Sequence, residues 1–346
     1  MASELETTPP PYKRIIVCCD GTAATAYDYR DVGKKPFTNV SRISRSIRPQ
    51  SRDGIPQVVL YLPGVGTAEG NIFNMWNRGY GIGLDEKIIE AYSFICHNYR
   101  SAEENNGIAD QIFLMGYSRG AFTVRCVADI INKAGLLRKE GICYVGNLYS
   151  LWRMEKQIPP PSSPPQVGHP NLSPTSFRGI DTTFQQDPRL RHYPVRVKVC
   201  ALWDTVNSTF HFRWGRPKRR FTFVDSECCE GIDNVIQALA LHETRRPYRP
   251  IVLKRPVNNQ VRLEQCWFAG KHSDIGRGKK GQDLDNFPLI WALDKLSEFL
   301  DLDLDVVWKT EPGRPTCGSK SSLDRNPREY RPSSYTMAYP DKSPTF

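Results

Sequence analysis

The sequence predicts an α/β fold in which a mostly parallel sheet carries helices on both faces. Short apolar runs rich in β-branched residues alternate along the chain with segments whose apolar residues recur every three or four positions. The 346 residues are 39% hydrophobic and 24% charged, proportions that are typical of a globular protein. This composition excludes a coiled coil and a wholly disordered chain.

Four runs are apolar almost throughout, as strands buried on both faces are. They are Arg14–Cys19, Gln57–Leu62, Gln111–Met115 and Val195–Trp203. A fifth run, Val261–Phe268, alternates between apolar and polar residues and is therefore expected nearer an edge of the sheet.

Helices are expected between these strands. Leu84–Asn98 places its apolar residues on one face, at the spacing of an amphipathic helix. Arg119–Leu137 is long and apolar on most sides, as a helix packed inside a protein is. The remaining predicted helices are Thr38–Ile47, Val235–His242 and Leu289–Leu300.

The pattern predicts one domain over residues 12–307, between a flexible N-terminus (1–11) and a poorly packed tail rich in Pro, Ser and Arg (308–346). Residues 139–191 interrupt the alternation of strands and helices. Five prolines within Pro159–Pro165 can continue neither a helix nor a central strand. We therefore interpret 139–191 as a short cap-like insertion over the sheet.

The net charge and the targeting signals limit the partners and the cellular compartment that can be expected. The formal net charge of +10 favours anionic partners such as phospholipid headgroups or nucleic acid. The sequence contains no run of about 18 apolar residues, the length that a helix needs to span a bilayer. It also contains no recognisable Sec-type signal peptide. We expect a cytoplasmic protein that makes at most a peripheral contact with an anionic membrane surface. The ten cysteines include no C-x-x-C pair, which indicates free structural thiols.

The segment Gly116-Tyr117-Ser118-Arg119-Gly120 has the pattern G-x-S-x-G between an apolar strand and a long helix. In that context the serine lies on a cramped turn that exposes its hydroxyl above the sheet edge. The helix N-terminus also favours developing negative charge. The alternative is a Gly-rich turn of a nucleotide-binding sheet, but the segment matches neither phosphate-binding glycine motif. Ser118 is the predicted nucleophile.

A serine nucleophile needs a base, and the base needs an orienting acid. Asp204 ends one predicted strand, and His272 lies four residues past another. Both are expected at the carboxyl edge of the sheet, where parallel sheets place ligands. Asp204 is the predicted acid and His272 the predicted base, with Asp274 as the alternative acid.

Seven segments, taken together, resemble the α/β-hydrolase domain of the type VI secretion phospholipase effectors, which is also widespread in fungi. They are Asp20-Gly21-Thr22, Thr38-Asn39-Val40, Pro63-Gly64-Val65-Gly66-Thr67, Gly116 to Ala121, Leu202 to Val206, Ala238 to Arg246 and Trp267 to Gly276. The resemblance covers residues 12–300. It implies an α/β-hydrolase fold and a Ser-Asp-His hydrolase that acts on lipid or phospholipid acyl esters. The chain departs from the family at Cys18-Cys19 and at Arg277, and its insertion is short.

The Asp-Gly-Thr segment also matches the end of the D-x-D-G-T motif of haloacid-dehalogenase-type phosphatases. In that motif the first aspartate is the nucleophile and a magnesium ligand, and Cys18 at this position can serve as neither. In a hydrolase the loop is suited to hold the oxyanion, through the N–H groups of Gly21 and Thr22 beside that of Arg119. The alternative is that Asp20 only caps a turn.

Residues 208–224, directly after the predicted acid, interleave cations with aromatic rings. The residues predicted to bind headgroups or a lipid interface are Arg213, Trp214, Lys218, Arg219 and Arg220. Single-stranded nucleic acid is the less favoured partner, and a solvated loop packed under the insertion is the remaining interpretation.

The sequence therefore predicts a serine esterase that forms an acyl-enzyme and needs no metal or organic cofactor. The alternative is a catalytically silent protein of the same fold that binds partners through the basic aromatic loop.

Overall fold

A six-stranded parallel sheet forms the centre of the structure, which is a computed structural model. The structure describes residues 12–22, 24, 37–64, 83–155, 188–206, 227–255, 261–277 and 283–309. The strand order is β2-β1-β3-β6-β7-β8. The six strands are β1 (Arg14–Cys19), β2 (Gln57–Leu62), β3 (Gln111–Tyr117), β6 (Val197–Trp203), β7 (Ile232–Ala240) and β8 (Arg262–Phe268). Two short strands, β4 (Leu136–Leu137) and β5 (Arg191–His192), form a separate antiparallel pair.

Helices cover both faces of the sheet. Within the described ranges the α-helices are α1 (Asn39–Ser46), α2 (Leu84–Asn98), α3 (Arg119–Ala134), α4 (Val145–Glu155), α5 (His272–Gly276), α6 (Asn286–Leu296) and α7 (Leu304–Lys309). Alternate residues of β1 serve the two faces, since Ile15 and Val17 pack with α2, α3 and α4, whereas Ile16 and Cys18 pack with α1, α6 and α7. This is an α/β-hydrolase-like fold, as the sequence predicts.

The strand predictions are confirmed with small shifts at the ends. The predicted run Gln111–Met115 extends to Tyr117 in β3, and the run from Val195 begins as β6 at Val197. The alternating run becomes β8, which lies at one edge of the sheet as expected. Because all six strands are parallel, their carboxyl ends meet at one edge, which we call the carboxyl rim.

The predicted helix Val235–His242 is wrong, because residues 235–240 belong to strand β7 and the last two residues form a turn after it. Apolar residues every three or four positions suggested a helix, but a short run that is apolar on both faces fits a buried strand equally well. Between β6 and β8, β7 satisfies its backbone groups on both sides and buries Val235, Ile236 and Leu239. Pairing with distant strands decided the conformation.

The long helix after Ser118 ends earlier than predicted. It stops at Ala134 because Gly135 adopts a left-handed φ of 75°, after which Leu136 and Leu137 form β4. The helix predicted at Leu289–Leu300 is observed as α6, which is displaced toward the N-terminus by three to four residues.

The described parts of the insertion pack on α2 and α3. The Trp152 indole of α4 is buried and donates to the Asp129 carboxylate at 2.8 Å. Tyr149 and Arg153 both bind Asp85, each at 2.6 Å. The proline run, the N-terminus 1–11 and the basic loop 208–224 lie outside the described residues, and α7 extends two residues beyond the expected domain end at 307.

The cysteines of the described region are all free thiols, and most are buried. Burial raises the pKa of the Cys266 thiol to about 11 and that of the Cys228 thiol also to about 11. These thiols therefore stay protonated at neutral pH and act as small core residues, as predicted. No helix among the described residues is long and apolar enough to cross a membrane.

Candidate active site

Ser118 lies on the turn between β3 and α3, with φ 57° and ψ −118°. This backbone conformation is strained for a residue with a side chain, and such strain is typical of functional turns. A Cβ at Gly120 would lie 2.1 Å from the Cys19 carbonyl oxygen, and one at Gly116 would lie 2.5 Å from the Ala121 nitrogen. The two glycines of the motif therefore allow the close backbone approach that the sharp turn requires.

The Ser118, His272 and Asp204 side chains form one row of hydrogen bonds at the carboxyl rim. Ser118 Oγ lies 2.8 Å from His272 Nε2, and His272 Nδ1 lies 2.6 Å from Asp204 Oδ2. All three residues are buried, and they come from the ends of three different strands. The sequence-predicted nucleophile, base and first-choice acid thus lie together.

Asp204 is held from both sides. Its backbone is left-handed, with φ 47°, and its N–H donates to the Ala238 carbonyl at 2.8 Å. Its second carboxylate oxygen accepts the Ala240 N–H at 2.9 Å. The alternative acid, Asp274, instead accepts the Lys271 N–H at 2.9 Å at the start of α5. Asp204 is therefore the carboxylate that contacts the imidazole.

Two tyrosine rings pack against the His272 imidazole. The Tyr117 ring is stacked on it, with centroids 5.1 Å apart, and the Tyr248 ring lies 5.2 Å away at a tilt of 42°. The Tyr117 hydroxyl also donates to the His272 carbonyl at 3.2 Å. These contacts restrict rotation of the imidazole and keep it in line with the serine.

Glu243 holds the backbone of the same histidine. Its carboxylate accepts the His272 N–H at 3.1 Å and two bonds from the Arg245 guanidinium, at 2.9 and 2.6 Å. Burial alone would raise the pKa of this carboxyl, but the hydrogen bonds and the charge of Arg245 lower it to about 2. Arg245 in turn covers the Tyr248 ring at 4.3 Å. Glu243 is therefore ionised at neutral pH and pins the turn that carries the imidazole.

Asp20 orders the loop after β1, on the other side of the serine. Its carboxylate accepts the Gly21 N–H at 2.7 Å, the Thr38 hydroxyl at 2.7 Å and the Tyr61 hydroxyl at 2.6 Å. Burial raises its pKa, although these bonds oppose the shift. The Gly21 N–H, one of the two loop donors predicted for an oxyanion, is therefore engaged by this carboxylate.

The loop is also tied to the nucleophile turn and to α1. Arg119 Nε donates to the Thr22 hydroxyl, which links the first residue of α3 to the loop. Thr38 caps α1 by accepting the Ser41 N–H at 3.0 Å, and Asn39 donates to the Ile275 carbonyl in α5 at 2.9 Å. Four of the segments that carry the family resemblance are therefore linked at one rim, those that contain Thr22, Thr38, Arg119 and Ile275.

Sequence reasoning assigned no role to Glu243, Arg245 or Tyr248. Glu243 and Arg245 lie inside one of the segments that carry the resemblance, which was the available signal. The predicted headgroup residues Arg213, Trp214, Lys218, Arg219 and Arg220 lie outside the described residues. Among the residues that are described, no group of three His, Cys, Asp or Glu side chains is arranged to hold a metal.

Solved structures with a similar course of the chain come from bacteria. An uncharacterized protein from Pseudomonas aeruginosa is 16% identical with a TM-score of 0.45, over 84% of this chain and 46% of its own. The Tle1 effector bound to the VgrG spike of the type 6 secretion system is 18% identical with a TM-score of 0.37, over 79% and 52%. A thermophilic esterase from Thermogutta terrifontis with bound propionate is 12% identical with a TM-score of 0.36, over 86% and 88%.

The sequence also matches a characterised family and a yeast protein. The uncharacterized protein YEL023C of Saccharomyces cerevisiae is 26% identical over 212 residues, which is 57% of this chain and 27% of the relative. The chain therefore spans about a quarter of that relative and about half of the first two bacterial structures. The model of the Tle1-like T6SS phospholipase effector catalytic domain matches residues 13–295, most of the chain. The chain belongs to this family of Tle1-like catalytic domains.

Proposed function

We propose that this chain is a serine hydrolase that cleaves carboxylic esters through an acyl-enzyme. The observation that carries the proposal is the buried row of hydrogen bonds from Ser118 through His272 to Asp204. A hydroxyl is a weak nucleophile unless a base takes its proton, and the base needs a fixed tautomer. The Asp204 carboxylate supplies that fixation by accepting from Nδ1, so Nε2 accepts from the serine.

In the proposed reaction, Ser118 Oγ attacks the ester carbonyl carbon while His272 Nε2 takes the hydroxyl proton. The tetrahedral oxyanion accepts hydrogen bonds from the backbone N–H groups of Arg119 and Thr22. His272 then gives its proton to the leaving alcohol, and the acyl group stays on the serine. Water, deprotonated by the same imidazole, attacks the acyl carbon, and the carboxylic acid leaves as Ser118 regains its proton.

We infer lipid or phospholipid acyl esters as the substrate class. The support is membership of a family whose model is described as a phospholipase effector domain. An acyl ester of a lipid needs the chemistry above and no cofactor. The cationic character of the chain, with its formal net charge of +10, also suits an anionic phospholipid surface.

Stopped-flow hydrolysis of a short-chain p-nitrophenyl ester tests the reaction type. We expect a burst of nitrophenolate that matches the enzyme concentration, followed by slower turnover, because so activated an ester acylates the serine faster than the acyl-enzyme is hydrolysed. The Ser118→Ala variant should show neither phase. Hydrolysis without a burst that persists in Ser118→Ala, in a chain shown to be folded by circular dichroism, would contradict the proposal.

A further inference from the structure

We propose that residues 241–255, which we call the rim segment, dock the carboxyl rim on an anionic lipid bilayer. This inference rests on the proposed function and names the surface on which the substrate would be met. The rim segment, LHETRRPYRPIVLKR, contains five Arg and Lys residues and one Glu. It lies outside the basic loop 208–224. Its cations Arg245, Arg246 and Arg249 follow the carboxyl end of β7, whereas Lys254 lies beside Glu227, ahead of β7.

The rim segment is fixed beside the reacting groups. Its first residue, Leu241, donates its N–H to the Phe268 carbonyl at 3.0 Å, and His242 donates to the Gly270 carbonyl at 3.0 Å. Further along, Ile251 donates to the carbonyl of Thr205, next to Asp204, at 2.9 Å. A surface that binds the rim segment would therefore lie against the same edge of the sheet as Ser118.

Three cations at this rim form no ion pair within the described part of the chain. Arg246, Arg249 and Lys271 are exposed, and among the described residues no carboxylate pairs with any of them. Arg245 differs, because Glu243 neutralises it. Like charges kept together without an internal partner destabilise a fold slightly, so their presence fits an external anion better than a structural role.

The exposed apolar residues favour a bilayer over a nucleic acid. Leu241 is 52% exposed and Val252 is 38% exposed, so the rim segment presents two aliphatic side chains as well as cations. Aliphatic side chains with flanking cations suit the headgroup region, where the cations meet phosphates. Binding of single strands relies on aromatic stacking, but the Tyr248 ring is packed between Arg245 and His272.

Vesicle sedimentation of the full 346-residue chain tests the inference. The vesicles are phosphatidylcholine with 30% phosphatidylserine, compared with phosphatidylcholine alone, in about 0.1 M salt. The test variant is Arg246→Gln/Arg249→Gln. The control is Arg52→Gln/Arg196→Gln, which removes the same charge from the amino edge of the sheet, before β2 and β6. The basic loop 208–224 is intact in all three proteins.

We expect the wild type and the control to bind the anionic vesicles equally. Each cation near such a surface strengthens partitioning about fivefold, so the test variant should bind about 25-fold more weakly. Binding should also fall steeply at about 1 M salt. Equal binding of the test variant and the control overturns the inference, as does wild-type binding that is indifferent to phosphatidylserine. Stronger retention on a 30-base single-stranded DNA than on anionic vesicles also overturns it.

Labelling of the wild type by a fluorophosphonate in the absence of vesicles separates this inference from the proposed function. A chain that is labelled at Ser118 but ignores anionic vesicles overturns the docking surface alone. A chain that binds the vesicles through Arg246 and Arg249 but is never labelled, with or without vesicles, overturns the hydrolase proposal and leaves the docking surface supported.

Discussion

Two buried carboxylates lie on opposite sides of Ser118 and hold the site in different ways. Asp20, at the end of β1, is surrounded by two hydroxyls and one N–H, and burial raises its pKa. Glu243, after β7, is bound by a guanidinium, and its pKa falls to about 2 despite burial. The hydrogen bonds and the charge of Arg245 therefore outweigh burial at Glu243, whereas at Asp20 burial outweighs the three hydrogen bonds and the charge of Arg277.

The two regions also serve different parts of the proposed chemistry. The Asp20 region fixes the loop that offers Thr22 to the oxyanion, whereas the Glu243 region fixes the backbone of the base, His272. We therefore expect substitutions in the Asp20 region to weaken stabilisation of the transition state. Substitutions in the Glu243 region should change the free energy of unfolding and its dependence on pH.

The largest effect is expected from Asp204→Asn, which replaces the carboxylate that contacts His272 Nδ1 between the two regions. The amide would present an N–H to His272 Nδ1 and favour the wrong tautomer, so kcat should fall by about 10⁴. Ester hydrolysis measures this loss. Asp274→Asn is the matched control, since it changes the rival carboxylate within α5. A larger loss in Asp274→Asn than in Asp204→Asn would reverse the assignment of the acid.

Asp20→Ala should lower kcat by about 10² to 10³, the effect of losing one oxyanion donor. The Gly21 N–H and the Thr38 and Tyr61 hydroxyls would lose their shared acceptor, and the loop would no longer be fixed. Asp20→Asn keeps one acceptor oxygen and should lose less. An Asp20→Ala enzyme that is less stable but has an unchanged kcat below its unfolding temperature would remove the loop from the mechanism.

Glu243→Gln should reduce the free energy of unfolding by roughly 1 to 3 kcal/mol at neutral pH, because it removes a buried carboxylate that accepts charge-assisted hydrogen bonds from the half-exposed Arg245. The folded pKa of Glu243, about 2, lies below its ordinary value of 4.5. The stabilisation is therefore complete above pH 4.5 and is lost as the pH falls toward 2. Urea unfolding of both proteins at pH 7, 4 and 3 measures it.

The Asp20 carboxyl should show the opposite sign. Its folded pKa is raised above 3.8, so the wild type gains stability relative to Asp20→Asn as the pH falls through the folded pKa. Parallel pH dependences for Glu243→Gln and Asp20→Asn would contradict the contrast between the two regions.

The smallest effect is expected from Tyr248→Leu, which removes the tilted ring contact with His272. A ring pair contributes about 0.5 to 1.5 kcal/mol beyond its buried area, so kcat should fall roughly 2- to 10-fold. Tyr248→Phe keeps the ring and should retain most of the activity. Equal kcat values for the Leu variant and the wild type would show that the Tyr248 ring has no part in orienting the imidazole.

The sequence could predict the parts of the molecule that are determined locally. The glycines around Ser118 predicted the sharp turn, because neighbouring backbone segments lie so close to Gly116 and Gly120 that a side chain has no room there. Apolar runs predicted β1, β2, β3 and β6, since a short run that is apolar almost throughout is typical of a strand buried on both faces.

The parts that depend on distant partners could not be predicted in the same way. The segment of β7 was assigned to a helix because its conformation is decided by pairing with β6 and β8. Glu243 lies 29 residues before His272 in a polar stretch with the composition of a surface loop. Only the folded chain shows that its carboxylate is buried against the histidine backbone.

A fluorophosphonate probe tests whether His272 activates Ser118 and requires no knowledge of the substrate. We expect phosphonylation of the wild type at Ser118, identified by mass spectrometry of the modified peptide. We expect no labelling of Ser118→Ala and labelling slowed by several orders of magnitude in His272→Ala. Labelling of His272→Ala at the wild-type rate, or no labelling of the folded wild type with and without anionic vesicles, would contradict that activation.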